Sequence, residues 1–268
     1  MSNQMNIEKA SPLSIIPNLF TLLNLFFGCM AIVEILQGGL VVSADENGQQ
    51  IIELPQKLYM ASVYIGIAAV IDFLDGFVAR LLKAPSALGK QLDSLADVVS
   101  FGVAPGMIIY VFLQRAYAAE VEALHTPIAL LLPAFIIPCA GAYRLARFNI
   151  DESQSHGFKG VPIPAAGLFI ASFPLVYWFT NEAWIIQLLQ NKFFWYAVIG
   201  IISYLMVSTL PMLALKFKTV SVKALAPFII LAVAALIGTF TLGWLSVAIV
   251  FILYVVLSLL THKKTENV

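Results

Sequence analysis

Several long apolar stretches constrain this chain more than any other feature of its sequence. A helix that crosses the hydrocarbon core of a bilayer needs about 20 mostly apolar residues, and the helical form hides every backbone polar group from lipid. Eight stretches fit this description: residues 15–36, 59–82, 96–113, 127–148, 161–179, 193–215, 224–240 and 243–260. The sequence therefore predicts an all-α integral membrane protein, a polytopic helical bundle of about eight transmembrane helices.

The composition agrees with a lipid environment. Of the 268 residues, 60% are hydrophobic and only 11% are charged, whereas a soluble domain carries charge on about a quarter of its residues. The last two stretches are separated only by a short turn, but together they are too long for a single crossing. We expect residues 1–268 to form a single membrane domain.

The positions of Lys and Arg predict how the helices are oriented. With eight spans, twelve of the 15 Lys and Arg residues fall at one set of ends, and only Lys57, Arg115 and Lys192 fall at the other. Loops rich in Lys and Arg stay on the cytoplasmic side of a membrane. We therefore expect both termini to be cytoplasmic.

Four aspartates lie in or beside the cytoplasmic halves of the second and third predicted spans. An ionised carboxylate near hydrocarbon is costly unless it is paired, and such residues usually mark a functional site. Asp72 and Asp75 are three residues apart and Asp93 and Asp97 are four apart, so each pair shares one helix face. A tight turn containing Pro85 would make the two helices antiparallel and place the pairs opposite each other.

Four clustered negative charges require positive charge nearby. Carboxylate oxygens suit hard divalent cations such as Mg²⁺, Mn²⁺ or Ca²⁺, and two ions would balance four charges. The small residues Gly76, Ala79 and Gly89 would also let a ligand approach the backbone closely. The alternative is purely structural: the acids form salt bridges with neighbouring basic residues, and the small residues serve helix packing.

These residues belong to one longer pattern that starts at Asp72 and ends at Asp97. It reads D-x-x-D-G-x-x-A-R, then eight residues, then G-x-x-x-D-x-x-x-D. The pattern resembles the signature of the CDP-alcohol phosphatidyltransferase family at every defining position. The resemblance implies a helical membrane fold with a two-metal site, using Mg²⁺ or Mn²⁺, that opens to the cytoplasm. It also implies transfer of a phosphatidyl group from a CDP-linked lipid to an alcohol, with release of CMP.

The resemblance assigns a role to each position of the pattern. Asp72, Asp75 and Asp93 would be the core metal ligands, and Asp97 would complete the metal site and deprotonate the incoming hydroxyl. The residues expected to bind the CDP-lipid are Asn18, Thr21, Gly76, Ala79, Arg80 and Gly89. The catalytic core would cover residues 15–215, with two additional transmembrane helices at 224–260.

Basic residues near the end of the fourth predicted span are candidates for binding the acceptor alcohol. Arg144 and Arg147 are one helical turn apart, and Lys159 lies in the following loop. Pro162 and Pro164 would then begin the fifth span, whose positive dipole end favours anions. The alternative for these charges is ordinary anchoring at the cytoplasmic membrane surface.

Three sequence runs resemble the members of the family that use L-serine as the acceptor. They are PNLFTLLNLFFG from Pro17, RLARFN from Arg144 and GVPIPAA from Gly160. The resemblance implies CDP-diacylglycerol and L-serine as substrates and a homodimer within membrane lipid. No nucleic-acid partner is expected. The expected location is the bacterial plasma (inner) membrane, with the active site facing the cytoplasm.

Two other functions stay open from the sequence. The same chemistry could use a different alcohol, such as glycerol phosphate, inositol phosphate or choline. More remotely, intramembrane acids also mark ion pathways in transporters. Transporters usually contain repeated halves with matching broken helices, and the acids here occur in one predicted hairpin only.

Overall fold

The computed structural model describes residues 15–44, 50–82, 86–118, 126–151, 158–213 and 222–265. Within these ranges the chain is almost entirely helical, as the sequence predicts. Pro85, in the expected turn between the two aspartate pairs, lies outside the described residues. So do four of the twelve Lys and Arg residues that predict the cytoplasmic side: Lys9, Lys83, Lys216 and Lys218.

Ten α-helices make up most of the described chain. They are α1 Ile15–Gln37, α2 Leu58–Leu81, α3 Ala87–Asp97, α4 Ala104–Ala118, α5 Ile136–Ile150, α6 Ile163–Phe179, α7 Ala183–Leu189, α8 Lys192–Val207, α9 Val222–Leu242 and α10 Leu245–Thr265. A π-helical segment, Val98–Val103, joins α3 to α4, and two 3₁₀ turns, Ile128–Leu130 and Leu132–Phe135, precede α5.

Four helical segments in the described ranges are long and apolar enough to cross a membrane. They are α1, α2, the continuous segment Ala87–Ala118 and residues Leu225–Leu242 of α9. A fifth is added if α7 and α8, which are bent by 69° at their junction, form one span. Two shorter apolar helices, Ile163–Phe179 and Leu245–Thr261, account for two further predicted stretches. The arrangement of eight spans with cytoplasmic termini remains a prediction.

Two short antiparallel ribbons connect helices. The ribbon of β1 (Val41–Ala44) and β2 (Gln50–Glu53) links α1 to α2. The ribbon of β3 (Phe158–Lys159) and β4 (Pro211–Met212) ties the start of α6 to the end of α8.

Glycines allow the helices around the four aspartates to approach closely. On α1, a Cβ added to Gly28 would collide with Ser100 of the π-helical segment. On α5, a Cβ added to Gly141 would collide with Ile163, the first residue of α6. Helices α1, α5 and α6 can therefore all pack against the segment that immediately follows Asp97.

Candidate active site

The four sequence-predicted aspartates converge where α2 faces α3. Asp72, Asp75 and Asp93 each offer a carboxylate oxygen, and these three oxygens lie within 4.8 Å of one another. Asp72 and Asp75 occupy the last part of α2, whereas Asp93 lies on α3. This is the juxtaposition that the helical spacing predicts.

Asp97 completes the cluster from a buried position. It is the last residue of α3, and only 6% of its surface is exposed. Its carboxylate interacts electrostatically with those of Asp72 and Asp93. Its Oδ1 atom is buried and has no hydrogen-bond partner among the described residues. Asp97 therefore has an oxygen available for a cation or a substrate proton.

The alternative that the four aspartates form salt bridges with neighbouring basic residues is not supported by the residues that the structure describes. Arg80 is exposed, and Lys90 donates a hydrogen bond to the backbone oxygen of Asn149 at 3.1 Å. No Lys or Arg within the described ranges lies within 4.0 Å of any of the four carboxylates. Closely spaced carboxylates without basic partners are the donor set that Mg²⁺ or Mn²⁺ prefers, so the residues present fit a divalent metal.

Helix α1 supplies the supporting hydrogen bonds. Thr21 Oγ1 donates to Asp75 Oδ2 at 2.8 Å, and Asn24 Nδ2 donates to Asp72 Oδ1 at 3.4 Å. Asn24 is fully buried and its backbone oxygen accepts a hydrogen bond from Ser100 Oγ at 3.1 Å. These contacts orient both carboxylates of α2.

The sequence analysis does not identify Asn24 and Ser100 as residues that support the site. For Asn24 a signal is present, because it lies three residues after Thr21 on the same helix face within an otherwise apolar span. Ser100 gives no comparable signal, since a serine in an apolar helix is common at helix–helix contacts.

A cavity of about 480 Å³ opens beside the carboxylates. Asp75 and Asp93 line one side of it, which joins the cavity to the acidic cluster. Five of the six residues predicted to bind the CDP-lipid also line it: Asn18, Thr21, Gly76, Ala79 and Gly89. The sixth, Arg80, is exposed next to it, with Nη1 at 3.9 Å from the position of a Cβ added to Gly76.

The first turn of α3 forms another wall of this cavity. Ser86 is the N-cap residue, and its side chain accepts a hydrogen bond from Gly89 N at 2.9 Å. A Cβ added to Gly89 would lie 2.8 Å from Asn18 Oδ1 and 3.0 Å from Ser86 Oγ, so a larger residue here would displace the Asn18 or Ser86 side chain. The free backbone N–H groups and positive dipole of a helix N-terminus favour phosphate and other anions.

The structure separates the three basic residues that the sequence groups together. Arg144 is 5% exposed, its Nε atom has no partner among the described residues, and it lies within electrostatic range of Asp97. Arg147 instead donates to the backbone oxygens of Val207 at 2.7 Å and Ser208 at 2.9 Å.

Lys159 is the third of these residues. It forms an ion pair with Asp151 at 3.3 Å, and 43% of its side chain is exposed. Of the three basic residues, Arg144 alone combines deep burial with proximity to the acidic cluster.

The start of α6 packs against α5 and the π-helical segment. Ile163 packs against Gly141, which is one turn before Arg144, and against Gly102 in the π-helical segment. As the sequence predicts, prolines begin this helix: Pro162 precedes its first residue and Pro164 occupies its first turn.

Comparison with known proteins agrees with this geometry. The family model of the CDP-alcohol phosphatidyltransferases matches residues 14–189, which is more than half of the chain. The matched region contains all four aspartates and every residue that lines the cavity.

Three relatives illustrate the similarity. The chain is 35% identical to a CDP-diacylglycerol–serine O-phosphatidyltransferase of Helicobacter pylori over 162 residues, which cover 60% of this chain and 57% of that protein. It is 36% identical to the protein of the same name from Bacillus subtilis over 124 residues, or 46% of this chain and 65% of the relative. It is 33% identical to an archaetidylserine synthase of Methanothermobacter thermautotrophicus over 173 residues, which cover 64% of this chain and 62% of that protein. Each alignment spans less than two thirds of the relative.

Proposed function

The chain belongs to the CDP-alcohol phosphatidyltransferase family, and from this membership we propose that it transfers the phosphatidyl group of CDP-diacylglycerol to the hydroxyl of L-serine. The products would be phosphatidylserine and CMP, in phospholipid biosynthesis. The observation that carries the proposal is the 480 Å³ cavity, which combines an acidic cluster at one side with a helix N-terminus at the other.

The cavity suits a ligand that carries two phosphates. Asp72, Asp75 and Asp93 would hold divalent metal, and Asp97 would complete that site. When bound, Mg²⁺ or Mn²⁺ would stabilise negative charge on the pyrophosphate oxygens. The N-terminus of α3 offers N–H groups to the same anion, while Gly76 and Gly89 leave room for the nucleotide.

Asp97 would act as the general base. The serine hydroxyl oxygen attacks the lipid-side phosphorus and forms a new P–O bond, and the bond from that phosphorus to the bridging oxygen breaks. CMP leaves with the bridging oxygen, and the hydroxyl proton passes to the Asp97 carboxylate. The buried, unpartnered Oδ1 of Asp97 supports this assignment.

The names of the relatives favour serine among the possible alcohols. The three relatives described above each carry serine in their names. L-Serine is a zwitterion whose carboxylate needs a cationic partner, and Arg144 is a buried cation that interacts electrostatically with the proposed base. We infer that Arg144 binds this carboxylate, with Arg147 and Lys159 serving mainly to hold the surrounding backbone and loop.

The proposal includes a membrane arrangement. Eight spans with cytoplasmic termini would place the cavity at the cytoplasmic edge of the bacterial plasma membrane, where the nucleotide lies in water and the acyl chains in lipid. Residues 15–215 would form the catalytic core and residues 224–260 two additional helices. A homodimer is proposed from family resemblance.

Release of CMP tests the function directly. Purified protein is incubated with CDP-diacylglycerol, Mg²⁺ and, in separate reactions, L-serine, glycerol phosphate, inositol phosphate or choline. We expect CMP release to depend on L-serine. Release with a different alcohol would correct the acceptor, and no release with any of them would contradict the proposed chemistry.

Substitution of Arg144 tests the acceptor site. Loss of a hydrogen bond to a charged group costs about 1.5–3 kcal/mol, so Arg144→Ala should raise the KM for serine tenfold or more. The KM for CDP-diacylglycerol should change little. Steady-state kinetics with each substrate varied in turn measures both values.

Arg147 and Lys159 provide the controls for this experiment. Lys159→Ala should leave the KM for serine within about twofold of the wild type, because this side chain is partly exposed and an exposed ion pair is worth at most about 1 kcal/mol. Arg147→Ala should lower the melting temperature, because it removes both hydrogen bonds to the end of α8. If all three variants change the serine KM alike, the acceptor site lies elsewhere.

A further inference from the structure

We propose that a glycerophospholipid with an ammonium-bearing headgroup binds at the end of the helical bundle that lies away from the acidic cluster. One acyl chain of this lipid would lie in an apolar groove between α2, α6 and α10, and its headgroup would lie in a neighbouring polar cavity. The proposal goes beyond phosphatidyl transfer and does not depend on it.

The groove has the dimensions of an acyl-chain site. It is an apolar cavity of about 410 Å³ whose rim includes the exposed Val63 and Val70 of α2, whereas Ala171 of α6 in its lining is buried. Along α2 the lining runs from Ser62 to Ile71, which is about 14 Å of helix. Half of the hydrocarbon core of a bilayer is about 15 Å thick. The groove is therefore about as long as one leaflet is deep.

A buried hydroxyl in the lining of the groove indicates a ligand with a hydrogen-bond acceptor. Ser62 is 4% exposed, and its Oγ atom has no hydrogen-bond partner among the described residues. Ser172, which lines the same groove, instead donates to the backbone oxygen of Phe169 at 2.7 Å. A buried hydroxyl without a partner is costly. The ester carbonyl of a glycerolipid would accept the hydrogen bond that Ser62 does not make within the protein.

A polar cavity of about 490 Å³ shares a wall with the groove, because Trp244 lines both. Its lining includes the polar residues Thr180, Asn181, Glu182 and Thr241. Tryptophan is enriched at the level where hydrocarbon meets lipid headgroups. An apolar groove, a tryptophan and a polar cavity follow one another in the same order as the acyl chain, the ester and the headgroup of a phospholipid.

This site is separate from the acidic cluster. Helix α6 begins at Ile163, which packs against the segment that follows Asp97, and it ends at Phe179 beside the polar cavity. These two ends are about 24 Å apart along the helix. On α2, Gly66 of the groove is nine residues before Asp75, which places the two on opposite sides of the helix. The lipid would therefore belong to the leaflet away from the proposed active site.

Glu182 gives the polar cavity a negative charge that selects the headgroup. It is the N-cap residue of α7, but its side chain makes no capping hydrogen bond. No Lys or Arg in the described ranges lies within 4.0 Å of its carboxylate. The carboxylate attracts an ammonium group and repels a headgroup of net negative charge. Because lipid tails are as apolar as the groove, these polar contacts must decide which lipid binds.

Titration with two lipids tests the preference for the headgroup. Full-length protein in mild detergent is mixed with dioleoylphosphatidylethanolamine or dioleoylphosphatidylglycerol, and native mass spectrometry counts the bound lipid molecules. We expect the ethanolamine lipid to bind about tenfold more tightly, as for one hydrogen bond to a charged group. Equal affinities for the two lipids would overturn the proposal.

Filling the groove tests its position. A Cβ added to Gly66 meets no atom within 4 Å, so the ring of Gly66→Phe can enter the groove. This variant should bind the ethanolamine lipid at least tenfold more weakly than the wild type. Gly200→Phe on α8 is the matched control, because an added Cβ there also meets nothing within 4 Å and Gly200 lines neither cavity. Equal affinities of these two variants would overturn the proposal.

Two milder substitutions keep the proposal testable if Gly66→Phe does not fold. Glu182→Gln should remove the preference between the two lipids, because it removes the charge that distinguishes them. Ser62→Ala should weaken both lipids alike, roughly two- to tenfold, because both carry the same ester groups. An unchanged preference in Glu182→Gln, or unchanged binding in Ser62→Ala, would overturn the proposed contacts.

A second copy of the chain is the alternative occupant of the groove. Gel filtration with light scattering compares the oligomeric states of the wild type, Gly66→Phe and Gly200→Phe without added lipid, and we expect no difference. A change confined to Gly66→Phe would make the groove a subunit interface and overturn the lipid site. None of these measurements requires turnover, so their failure would leave the proposed function standing, and failure of CMP release would not affect them.

Discussion

Replacement of Asp97 by Asn is expected to lower the rate of CMP release by roughly 10²–10⁴-fold, the usual contribution of a positioned general base. The serine hydroxyl is a poor nucleophile at neutral pH, and an amide cannot accept its proton. The substitution preserves the size and shape of the side chain at this 6%-exposed position. Binding of CDP-diacylglycerol in the presence of metal should therefore persist.

Two measurements on the Asp97→Asn variant separate the possible roles of this residue. CMP release reports turnover, and calorimetric titration of CDP-diacylglycerol reports binding. Near-normal turnover would exclude Asp97 as the base, whereas loss of CDP-lipid binding would make it chiefly a metal ligand. Asp93→Asn is the comparison variant, because it should weaken metal binding as well as turnover.

Removal of divalent metal is expected to abolish turnover altogether. Asp72, Asp75 and Asp93 bring negative charge within 4.8 Å, and a pyrophosphate would add more. Without cations these charges repel the substrate, so activity should vanish with a chelator and return with added Mg²⁺ or Mn²⁺. Full activity in excess chelator after dialysis would contradict the site as proposed.

A variant of one proposed ligand links this requirement to the aspartates themselves. Asp75→Asn should increase the Mg²⁺ concentration needed for half-maximal activity, because it removes one negative charge from the donor set. Asp151→Asn is the control for removal of a carboxylate elsewhere in the protein, because Asp151 forms an ion pair with Lys159. An identical Mg²⁺ dependence in Asp75→Asn and wild type would remove Asp75 from the ligands.

The acidic cluster could be predicted from sequence because its geometry is mostly local. Helical spacing alone puts Asp72 beside Asp75 and Asp93 beside Asp97. A short connection then brings the two pairs together, and carboxylate oxygens of Asp72, Asp75 and Asp93 lie within 4.8 Å of one another. The glycines and Ala79 were predictable for the same reason, since they occupy fixed steps along the same two helices.

Contacts between distant elements could not be predicted in this way. Asn24 reaches Asp72 across 48 residues of sequence, and Tyr254 reaches Leu213 across 41. Spacing within one helix gives no information about which helices will be neighbours. Similarly, Arg144 and Arg147 look equivalent in the sequence. The structure distinguishes them, because Arg147 donates hydrogen bonds to backbone oxygens at the end of α8.

The sequence locates the helices, but their lengths differ: the predicted stretch 96–113 belongs to the longer segment Ala87–Ala118, and the stretch 193–215 corresponds to the shorter helix Lys192–Val207. The membrane topology remains a prediction. Apolar stretches locate helices because lipid and protein cores both demand apolar side chains. They do not state how long each helix will be. The stretch at 127–148, for example, is divided into two 3₁₀ turns and α5.

The π-helical segment Val98–Val103 changes which side of the continuous helical segment Ala87–Ala118 faces each neighbouring helix. A π-turn holds more residues than an α-turn, and each extra residue rotates everything beyond it by about 100° relative to an uninterrupted α-helix. The span can thus present Asp93 and Asp97 to α2 in one register. In another register, it presents Gly102 and Gly106 to Pro138 of α5, where an added Cβ on either glycine would lie 3.2 Å from Pro138. Because of the extra residue, the part of the span that carries Asp93 and Asp97 can face the acidic cluster, while the part that carries Gly106 faces α5.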